Sequence, residues 1–417
     1  MAGKFSNRKK LIMLSAAIEE KMPYIKKATS LFSQGEVAKR KYGHQLTGYL
    51  PDSGSVSDGL VAHPDKAHQV EVSCYIKNKN TAVEYDMFDE ILNIEDFKKE
   101  IVDKRAGKLA REVQLSVMGE NVFRSCQAYV ASAPSFAMLS NAAAMLDELS
   151  VSGDRVDFQV PTLLSTIAES GLARYIPSDR MAKIYDESYL GQYGTAAQVQ
   201  LPGLPIVDTT GMDAAPTISA EVVKDASNNV IGLKPINDIT GSGTGTVKVG
   251  IPYKVSGLKV VDASGIETNQ DYVLILNKET RFDSDGNASD VTYLPQLRVT
   301  VDGKAYGNPN AHIDATTLAA AIADGVATLT LTPMLTASKK YQVGQIRTIN
   351  SLSWDQYRFE DLPAAKQDSV GTFENITLKM QSAPEVLNGV AYLRIDLPYA
   401  SKLMLPWESV TTYTLLD

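Results

Sequence analysis

Histidine and cysteine are the residue types best suited to nucleophilic and metal chemistry, and this chain holds few of them. The four histidines are scattered along the sequence, at His44, His63, His68 and His312. The two cysteines, Cys74 and Cys126, stand far apart and in no spacing typical of metal ligands. The pattern therefore predicts neither a catalytic histidine nor a metal site, and it favours a cytosolic folding site with both thiols free.

One acidic run deserves comparison with a calcium loop. Asp283-Ser-Asp-Gly-Asn287 matches the first five positions of an EF-hand loop. The sixth position, which needs glycine, is Ala288, and the twelfth, which needs a bidentate glutamate, is Leu294. We therefore interpret the run as a charged hairpin tip, with a weak calcium site as the alternative.

Two other clusters favour structural roles over chemical ones. Gly241-Ser-Gly-Thr-Gly245 is rich in glycine, but no helix pattern follows that could present amide groups to a phosphate, so a β-turn is expected. Four carboxylates precede the longest helical pattern of the chain, where they stabilise the positive end of a helix: Glu84, Asp86, Asp89 and Glu90. No cofactor and no enzymatic activity are predicted.

Composition places the chain among folded proteins. Its 417 residues are 44% hydrophobic and 22% charged, which excludes the disordered, collagen-like and membrane-spanning classes. The net charge of -8 argues against a general nucleic-acid binder. The charge is uneven, because ten lysines and arginines against three glutamates give residues 1–42 a charge of +7 and leave -15 elsewhere.

The basic N-terminal segment carries a narrow apolar stripe at helical spacing. The stripe consists of Leu11, Leu14, Ile18, Met22 and Ile25. Pro23 is expected to kink or end the helix near Met22. Since the opposite face is charged, we expect this helix to pack only lightly, or on another chain.

A long hairpin is predicted next. Residues 68–76 alternate strictly and place four apolar side chains on one face: Val70, Val72, Cys74 and Ile76. A partner strand is expected over 43–50, joined by loop-type residues 51–66. A hairpin with one thin apolar face is marginal alone, so we expect this face to lie against a neighbour.

The remaining elements suggest an α+β host that carries a β-domain. A helical pattern with opposite-charge pairs runs over 94–125, about 45–50 Å of helix. Residues 134–210 mix helix and strand, with helices over 136–149 and 161–170 and strands over 155–160 and 206–207. Short strands separated by turns occupy 217–336, with one alanine-rich helix over 314–323, and mixed patterns resume from 342.

The order of these elements resembles the major capsid proteins of tailed bacteriophages, specifically the P22-like branch of the HK97 fold, which carries an insertion domain. The stretches that carry the resemblance are Tyr85–Glu90, Phe97–Ile101 and Lys108–Leu115 for the spine helix, Val247–Gly250 and Val255–Lys259 for the insertion barrel, and Tyr392–Leu397 for the closing strand. No single motif is diagnostic, and the likeness lies in the order over nearly the whole chain.

The resemblance implies an HK97-like α+β capsid fold with an inserted small antiparallel β-barrel. Its implied parts are an N-arm (1–42), an E-loop (43–84), a peripheral domain with the spine helix (85–133 and 397–417), an axial domain (134–210 and 342–396) and the insertion domain (211–341). No lysine–asparagine crosslink is implied.

The resemblance also implies partners and contact residues. Copies would form hexamers and pentamers of an icosahedral virion shell, assembled in the host cytoplasm around double-stranded DNA without sequence-specific contact. A scaffolding protein and a portal at one vertex are the implied partners, with no membrane. Candidate subunit contacts are the hairpin face already named and the tips at Lys224, Asp225, Asp283 and Asp285, and candidate scaffolding contacts are Glu19 and Glu20.

The alternative is a phage decoration protein, or a tail or receptor-binding protein built on the β-domain. The β-domain suits that alternative, whereas the long helix beside a hairpin does not. An enzyme is the third possibility, and a cleft holding a carboxylate or histidine with a strongly perturbed pKa would favour it.

Overall fold

The chain divides into two compact units. The computed structural model describes residues 14–18, 20–30, 45–51, 69–86, 104–149, 151–170, 192–193, 196–212, 217–224, 230–233, 239–240, 246–247, 249–261, 267–276, 280–281, 287–288, 293–294, 299–300, 311–313, 319, 323, 326–356, 367–373, 376–385 and 390–416. Unit one comprises Met1–Gly48, Val72–Met118 and Leu352–Lys402. Unit two comprises Tyr49–Glu71, Gly119–Ser351 and Leu403–Asp417.

Helices are few, and strands dominate the described residues. The helices are α1 (Pro23–Lys26), α2 (Gly107–Asn121), α3 (Phe136–Glu148) and α4 (Pro161–Ser170). The first strands are β1 (Gln45–Pro51), β2 (Gln69–Tyr75), β3 (Lys77–Asp86), β4 (Ala128–Ala131), β5 (Arg155–Gln159), β6 (Gln192–Tyr193), β7 (Ala196–Gln200) and β8 (Ile206–Asp208).

The strands of the predicted β-domain are mostly short. They are β9 (Thr217–Lys224), β10 (Val230–Leu233), β11 (Ile239–Thr240), β12 (Thr246–Val247), β13 (Pro252–Val261), β14 (Glu267–Leu276), β15 (Thr280–Arg281), β16 (Asn287–Ala288), β17 (Tyr293–Leu294), β18 (Val299–Thr300), β19 (Ala311–Ile313) and β20 (Val326–Pro333). The last strands are β21 (Lys340–Thr348), β22 (Leu352–Asp355), β23 (Gln367–Phe373), β24 (Ile376–Glu385), β25 (Val390–Leu403) and β26 (Ser409–Leu416).

The N-terminal segment differs from expectation in its packing. Residues 14–18 are helical, and the chain turns at Lys21 before Pro23 opens α1, so the predicted break at Pro23 is confirmed. The described residues of the apolar stripe are covered by this chain: Leu14 and Ile18 are 0% exposed, and Met22 is 1% exposed. The expectation that the helix packs lightly or on another chain is wrong, because even a narrow stripe is buried once a complementary surface is available.

Unit one is built around β25. Its sheet runs β22-β25-β24-β23, and β3 pairs antiparallel with β25 from Lys77↔Tyr399 to Asp86↔Val390. On this sheet Trp354 stacks on Tyr399 with ring centroids 5.2 Å apart, and the Tyr399 hydroxyl lies 3.0 Å from the Ser116 hydroxyl on α2. One residue, Ile76, separates β2 from β3, so the chain passes directly from the β1–β2 pair into this sheet.

The predicted spine helix is described only in its second half. Residues 104–106 form a π-helical turn that continues into α2, and residues 94–103 lie outside the described ranges. The helix ends at Asn121, four residues earlier than predicted. Asn121 is buried, and its side-chain carbonyl accepts a hydrogen bond from the Leu403 amide at 2.7 Å, which gives the terminal residue a tertiary partner. Helical periodicity depends only on nearby residues, so it does not predict this tertiary hydrogen bond or the end of the helix at Asn121.

Unit two contains a mixed sheet covered on both faces. Its strand order is β4-β26-β21-β5-β7-β6, with β8 also on β21, and the β5–β7 and β26–β4 pairs are parallel. Helix α3 lies on one face, where the Thr414 hydroxyl contacts Met138 Sδ at 2.9 Å. Residues after α2 cover the other face, where the Thr411 hydroxyl donates to the Val122 carbonyl at 2.7 Å. The predictions for α3, α4, β5 and β8 are confirmed.

The β-rich segment forms its own sheet within unit two. The strand order is β16-β11-β9-β20-β13-β14-β17, and β9 pairs with β20 from Thr217↔Thr330 to Glu221↔Val326. The two ends of the segment meet, since the Thr209 amide donates to the Lys339 carbonyl at 2.9 Å. That closure fits an insertion, while the barrel and the domain boundaries remain predictions. Most of the predicted helix 314–323 lies outside the described residues.

Candidate functional site

The β1–β2 pair, called the ribbon below, is the first candidate interaction surface. It forms a two-stranded sheet of its own. At the base of β2 the predicted alternation appears as Cys74 at 5% and Tyr75 at 65% exposure, with Ile76 half-buried. The Cys74 side chain is covered by its own chain, so the face that Tyr75 occupies is the one open to a partner here.

The other ribbon candidates are placed only by their backbone. Val70 and Val72 lie in β2, on the same side of the strand as Cys74, and their side chains fall outside the described residues. Their role at a subunit interface stays a prediction.

The predicted hairpin tips have different outcomes. Lys224 ends β9 and pairs with Val230, which confirms a hairpin there, and Asp225 lies outside the described residues. Asp283 and Asp285 also lie outside them. The strands that flank these two pair elsewhere, Arg281 with Thr246 and Asn287 with Thr240. The hairpin-tip interpretation of that acidic run is therefore wrong, because strand pairing is decided by distant partners rather than by the turn residues between.

The predicted scaffolding contacts lie on the N-terminal segment. Glu20 is exposed, and Glu19 falls outside the described residues. The segment is attached to unit one at its far end, where Thr29 forms a parallel bridge with Ser353. The Thr29 amide donates to the Leu352 carbonyl at 3.0 Å, and the Trp354 amide donates to the Thr29 carbonyl at 2.9 Å. The Ser30 hydroxyl donates to the Asp355 carboxylate. The segment thus presents Glu20 from a docked position.

A carboxylate that the sequence reading missed joins three strands of unit one. Asp396 on β25 is 3% exposed and pairs in register with Lys379 of β24 and Asn80 of β3. Its Oδ1 accepts from Asn78 Nδ2 at 2.8 Å and from Arg394 at 2.8 Å. Asp396 therefore has charged and neutral donors of its own, which is the arrangement of a structural ion pair.

A second missed carboxylate lies in the middle of unit two. Asp157 on β5 is 0% exposed, and burial raises its pKa to about 7, against hydrogen bonds from Gln159 and Gln198 that lower it. The alternation Arg155-Val-Asp-Phe-Gln159 suggests a solvent-facing strand, but α3 covers that face. Only tertiary packing reveals this group.

Neither thiol has the character of a nucleophile. Burial raises the pKa of Cys126 to about 12. Burial also raises that of Cys74 to about 12, with a further contribution from Asp355. A thiol with so high a pKa is almost entirely protonated at neutral pH and does not attack. Both cysteines are free, as the sequence predicted.

The described residues offer no assembled reaction centre. In the ranges given above, no three histidine, cysteine, aspartate or glutamate side chains group as metal ligands. The one carboxylate there with a pKa raised to near neutrality is sealed in a sheet, where no substrate could reach it. No helix of the described residues combines the length and apolar character needed to cross a membrane.

Large apolar side chains mark the exposed surface instead. In unit one, Tyr75 and Tyr392 are 65% and 40% exposed. In unit two, Ile206 and Val249 are 56% and 43% exposed. Scattered apolar residues are ordinary on a surface, but a tyrosine two-thirds exposed on a two-stranded ribbon is suited to contact with another protein.

Comparison with known proteins gives matches by structure only. No family model matches the chain, and no curated protein does. The head structure of Helicobacter pylori bacteriophage KHP40 is 8% identical, with 95% of this chain and 92% of that chain covered at a TM-score of 0.43. The capsid structure of Cyanophage P-SCSP1u is 10% identical, with 94% and 86% covered at a TM-score of 0.42. The capsid of Ralstonia phage GP4 is 6% identical, with 90% and 85% covered at 0.42. At such identities and TM-scores, the functional conclusion depends on this chain's own residues.

Proposed function

We propose that the chain is a structural subunit of a bacteriophage capsid and that it acts by binding other copies of itself. The observation that carries the proposal is the ribbon: two strands in a sheet of their own, with Tyr75 65% exposed at the base. A two-stranded sheet is marginal in water without a surface to lie on. A second copy of the chain supplies that surface.

The chemistry of the described residues supports a structural role. Both thiols are buried and protonated, and the buried carboxylates Asp157 and Asp396 are enclosed by strands and helices. The net charge of -8 suits a container for double-stranded DNA, because a strongly basic wall would bind DNA through counterion release and hinder packaging.

The finer assignments follow the resemblance to P22-like capsid proteins of the HK97 fold. Copies assemble into hexamers and pentamers of an icosahedral virion shell in the host cytoplasm, with a scaffolding protein and a portal at one vertex. Glu19 and Glu20 contact the scaffolding protein. Val70, Val72, Ile76 and four residues of the β-rich segment, Lys224, Asp225, Asp283 and Asp285, contact neighbouring subunits. The DNA is enclosed without sequence-specific contact, and no cofactor takes part.

Substitution of Tyr75 tests the proposal. Tyr75→Ser removes the ring from the ribbon, and loss of one such aromatic contact costs about 2 kcal/mol per interface. Since every subunit repeats the contact, we expect the concentration needed for assembly to rise at least about tenfold. Tyr75→Phe keeps the ring and serves as the matched control. The measurement is sedimentation velocity with negative-stain imaging of the full chain co-expressed with its scaffolding protein.

The outcomes separate the candidate functions. Large closed particles from wild type and Tyr75→Phe, but not from Tyr75→Ser, support the capsid subunit. A wild-type chain that stays monomeric with scaffolding protein and at high concentration contradicts it, and points to the decoration or tail protein. Particles formed equally well by Tyr75→Ser contradict the role assigned to the ribbon.

A further inference from the structure

Asp157 lies in the central part of the mixed sheet of unit two. It pairs in register with Ile346 of β21 on one side and with Gln198 of β7 on the other. Its side chain shares a sheet face with Arg155 and Gln159, the face on which α3 packs. At 0% exposure it has no water of its own, so an ionised carboxylate here lacks bulk solvation.

One oxygen of the Asp157 carboxyl group accepts a hydrogen bond, and the other has no hydrogen-bond partner among the described residues. Gln159 Nε2 donates to Asp157 Oδ1 at 2.8 Å and to the Thr412 hydroxyl at 3.0 Å. Asp157 Oδ2 and Gln198 Oε1 are both buried and have no partner in the described residues. Gln198 nonetheless stands within hydrogen-bonding range of the Asp157 carboxyl group. Two neighbouring acceptors are both satisfied if one proton lies between them.

The two arginines nearest to Asp157, one on its own strand and one on the neighbouring strand β21, interact with other groups. The Arg155 guanidinium bonds to the Asp147 carboxylate at 2.6 Å and to the Ala143 carbonyl at 3.2 Å. Arg347 of β21 lies on the opposite face, 5.0 Å from the Phe158 ring centroid.

The other ionisable groups on the packed elements also have partners elsewhere. Tyr129 of β4 accepts from Asn141, Glu148 of α3 accepts from Gln270, Lys340 of β21 lies 3.9 Å from Asp208, and Tyr413 of β26, on the opposite face, donates to the Gly250 carbonyl. Among the described residues, no ion pair reaches Asp157.

We propose that Asp157 is a neutral carboxylic acid in the folded chain, that its Oδ2–H donates to the Gln198 amide oxygen, and that its ionisation weakens unit two as the pH rises. A glutamine amide presents its oxygen or its nitrogen by rotation, so Gln198 can accept from the acid or donate to the carboxylate. The hydrogen bond from protonated Asp157 to Gln198 makes this sheet more stable in mild acid than above neutrality, whether or not the chain forms a shell.

The direction of the pH effect follows from proton linkage. Burial raises the pKa of Asp157 from 3.8 to about 7. Between those values the folded chain holds a proton that the unfolded chain releases, so stability falls as the pH rises. Below that window both states are protonated, and above it both are ionised, so the contribution is constant at each end.

Chemical unfolding of the full chain tests the proposal against Asp157→Asn, which keeps the shape and cannot ionise. We expect the unfolding constant of wild type, divided by that of Asp157→Asn, to rise about tenfold per pH unit from about pH 5 to pH 7 and then to level off. Asp154→Asn, which removes an exposed carboxylate one residue before β5, is the matched control and keeps the wild-type slope. A ratio that does not change with pH overturns the proposal.

Infrared spectroscopy of the wild type keeps the test decisive if Asp157→Asn fails to fold. Chain labelled with 13C at aspartate carboxyls should show the carbonyl band of a buried, protonated acid near pH 6, and the band should vanish near pH 8. Absence of that band at pH 6 overturns the proposal, because it shows an ionised Asp157 in the folded chain.

Discussion

At the scale of single residues, Gly344 and Gln159 show how an absent side chain sets the packing of a sheet. A Cβ atom at Gly344 would lie 2.2 Å from Gln159 Oε1 and 2.6 Å from its Cδ. Gln159 cannot move aside freely, since its Nε2 bonds to both Asp157 and Thr412. Glycine is therefore required at 344 by space rather than by backbone angle.

We expect Gly344→Ala to lower the free energy of unfolding by about 2 kcal/mol through overpacking, as measured by urea denaturation. Gly119→Ala is the matched control: nothing lies within 4 Å of its added methyl group, so it should stabilise helix α2 by about 0.5–1 kcal/mol. In a Gln159→Ala background the Gly344→Ala penalty should shrink, because the crowding atoms are gone. An equal penalty in both backgrounds would contradict this packing.

At the scale of elements, the N-terminal segment is the part whose packing sequence patterns misjudged. Ile18 is 0% exposed, while Glu20, two residues later, is exposed. The segment continues to Thr29, which bridges to Ser353 at the edge of β22. Residues 14–18 and 20–30 of the segment are thus an integral part of the folded chain rather than a free arm.

Ile18→Ala should therefore destabilise the isolated chain by about 2–4 kcal/mol, the usual cost of truncating a buried aliphatic side chain. Glu20→Ala, at an exposed position on the same segment, should change stability by less than about 0.5 kcal/mol. Thermal and urea unfolding of the unassembled chain provide the measurement. If Ile18→Ala leaves the monomer unchanged and impairs only assembly, the stripe belongs to an interface between copies.

At the scale of the whole molecule, the β-rich segment is attached to the mixed sheet of unit two by more than its two ends. The Val273 amide donates to the Cys126 carbonyl at 3.3 Å, and the Tyr413 hydroxyl donates to the Gly250 carbonyl at 2.8 Å. Gly250 lies so close to Phe123 that an added Cβ would stand 2.9 Å from its ring. Removal of the segment uncovers groups that belong to the mixed sheet.

Replacement of residues 213–335 by a short glycine–serine linker should leave Cys126 exposed and reactive. Its pKa, raised to about 12 by burial, should fall toward the ordinary thiol value once water reaches it. Labelling with a thiol reagent near pH 8, followed by mass spectrometry, measures this, and Cys74 in unit one is the internal control that stays unlabelled. An unreactive Cys126 in the shortened chain would show that the segment does not provide its cover.

The sequence predicted local elements well and partnerships poorly. The strand at β5, the proline-initiated α4 and the break at Pro23 all follow from periodicity and turn chemistry, which act within a few residues. The prediction for the acidic run at 283–287 is wrong because its flanking strands pair with residues 35 and 47 positions away, Arg281 with Thr246 and Asn287 with Thr240. The pairing of such strands depends on residues far away in the sequence, and local patterns do not predict which residues those are.

The candidate sites divide in the same way. Alternation placed Cys74 and Tyr75 on opposite faces, and the absence of reactive histidine or cysteine patterns agrees with the buried thiols. Asp157 and Asp396 went unnoticed, because a carboxylate in an alternating strand looks solvent-facing until a helix or another strand covers it. Burial depends on what packs above a strand, and that information lies elsewhere in the chain.

By itself the sequence determined the approximate positions of several helices and strands, which residues share a face, and that reactive-site patterns are missing, because these depend on side-chain type and short-range geometry. Only the tertiary structure decided which faces are covered. It buried the N-terminal stripe, sealed Asp157 beneath α3 and left Tyr75 open, because desolvation is a property of the assembled neighbours of a residue and not of its place in the sequence.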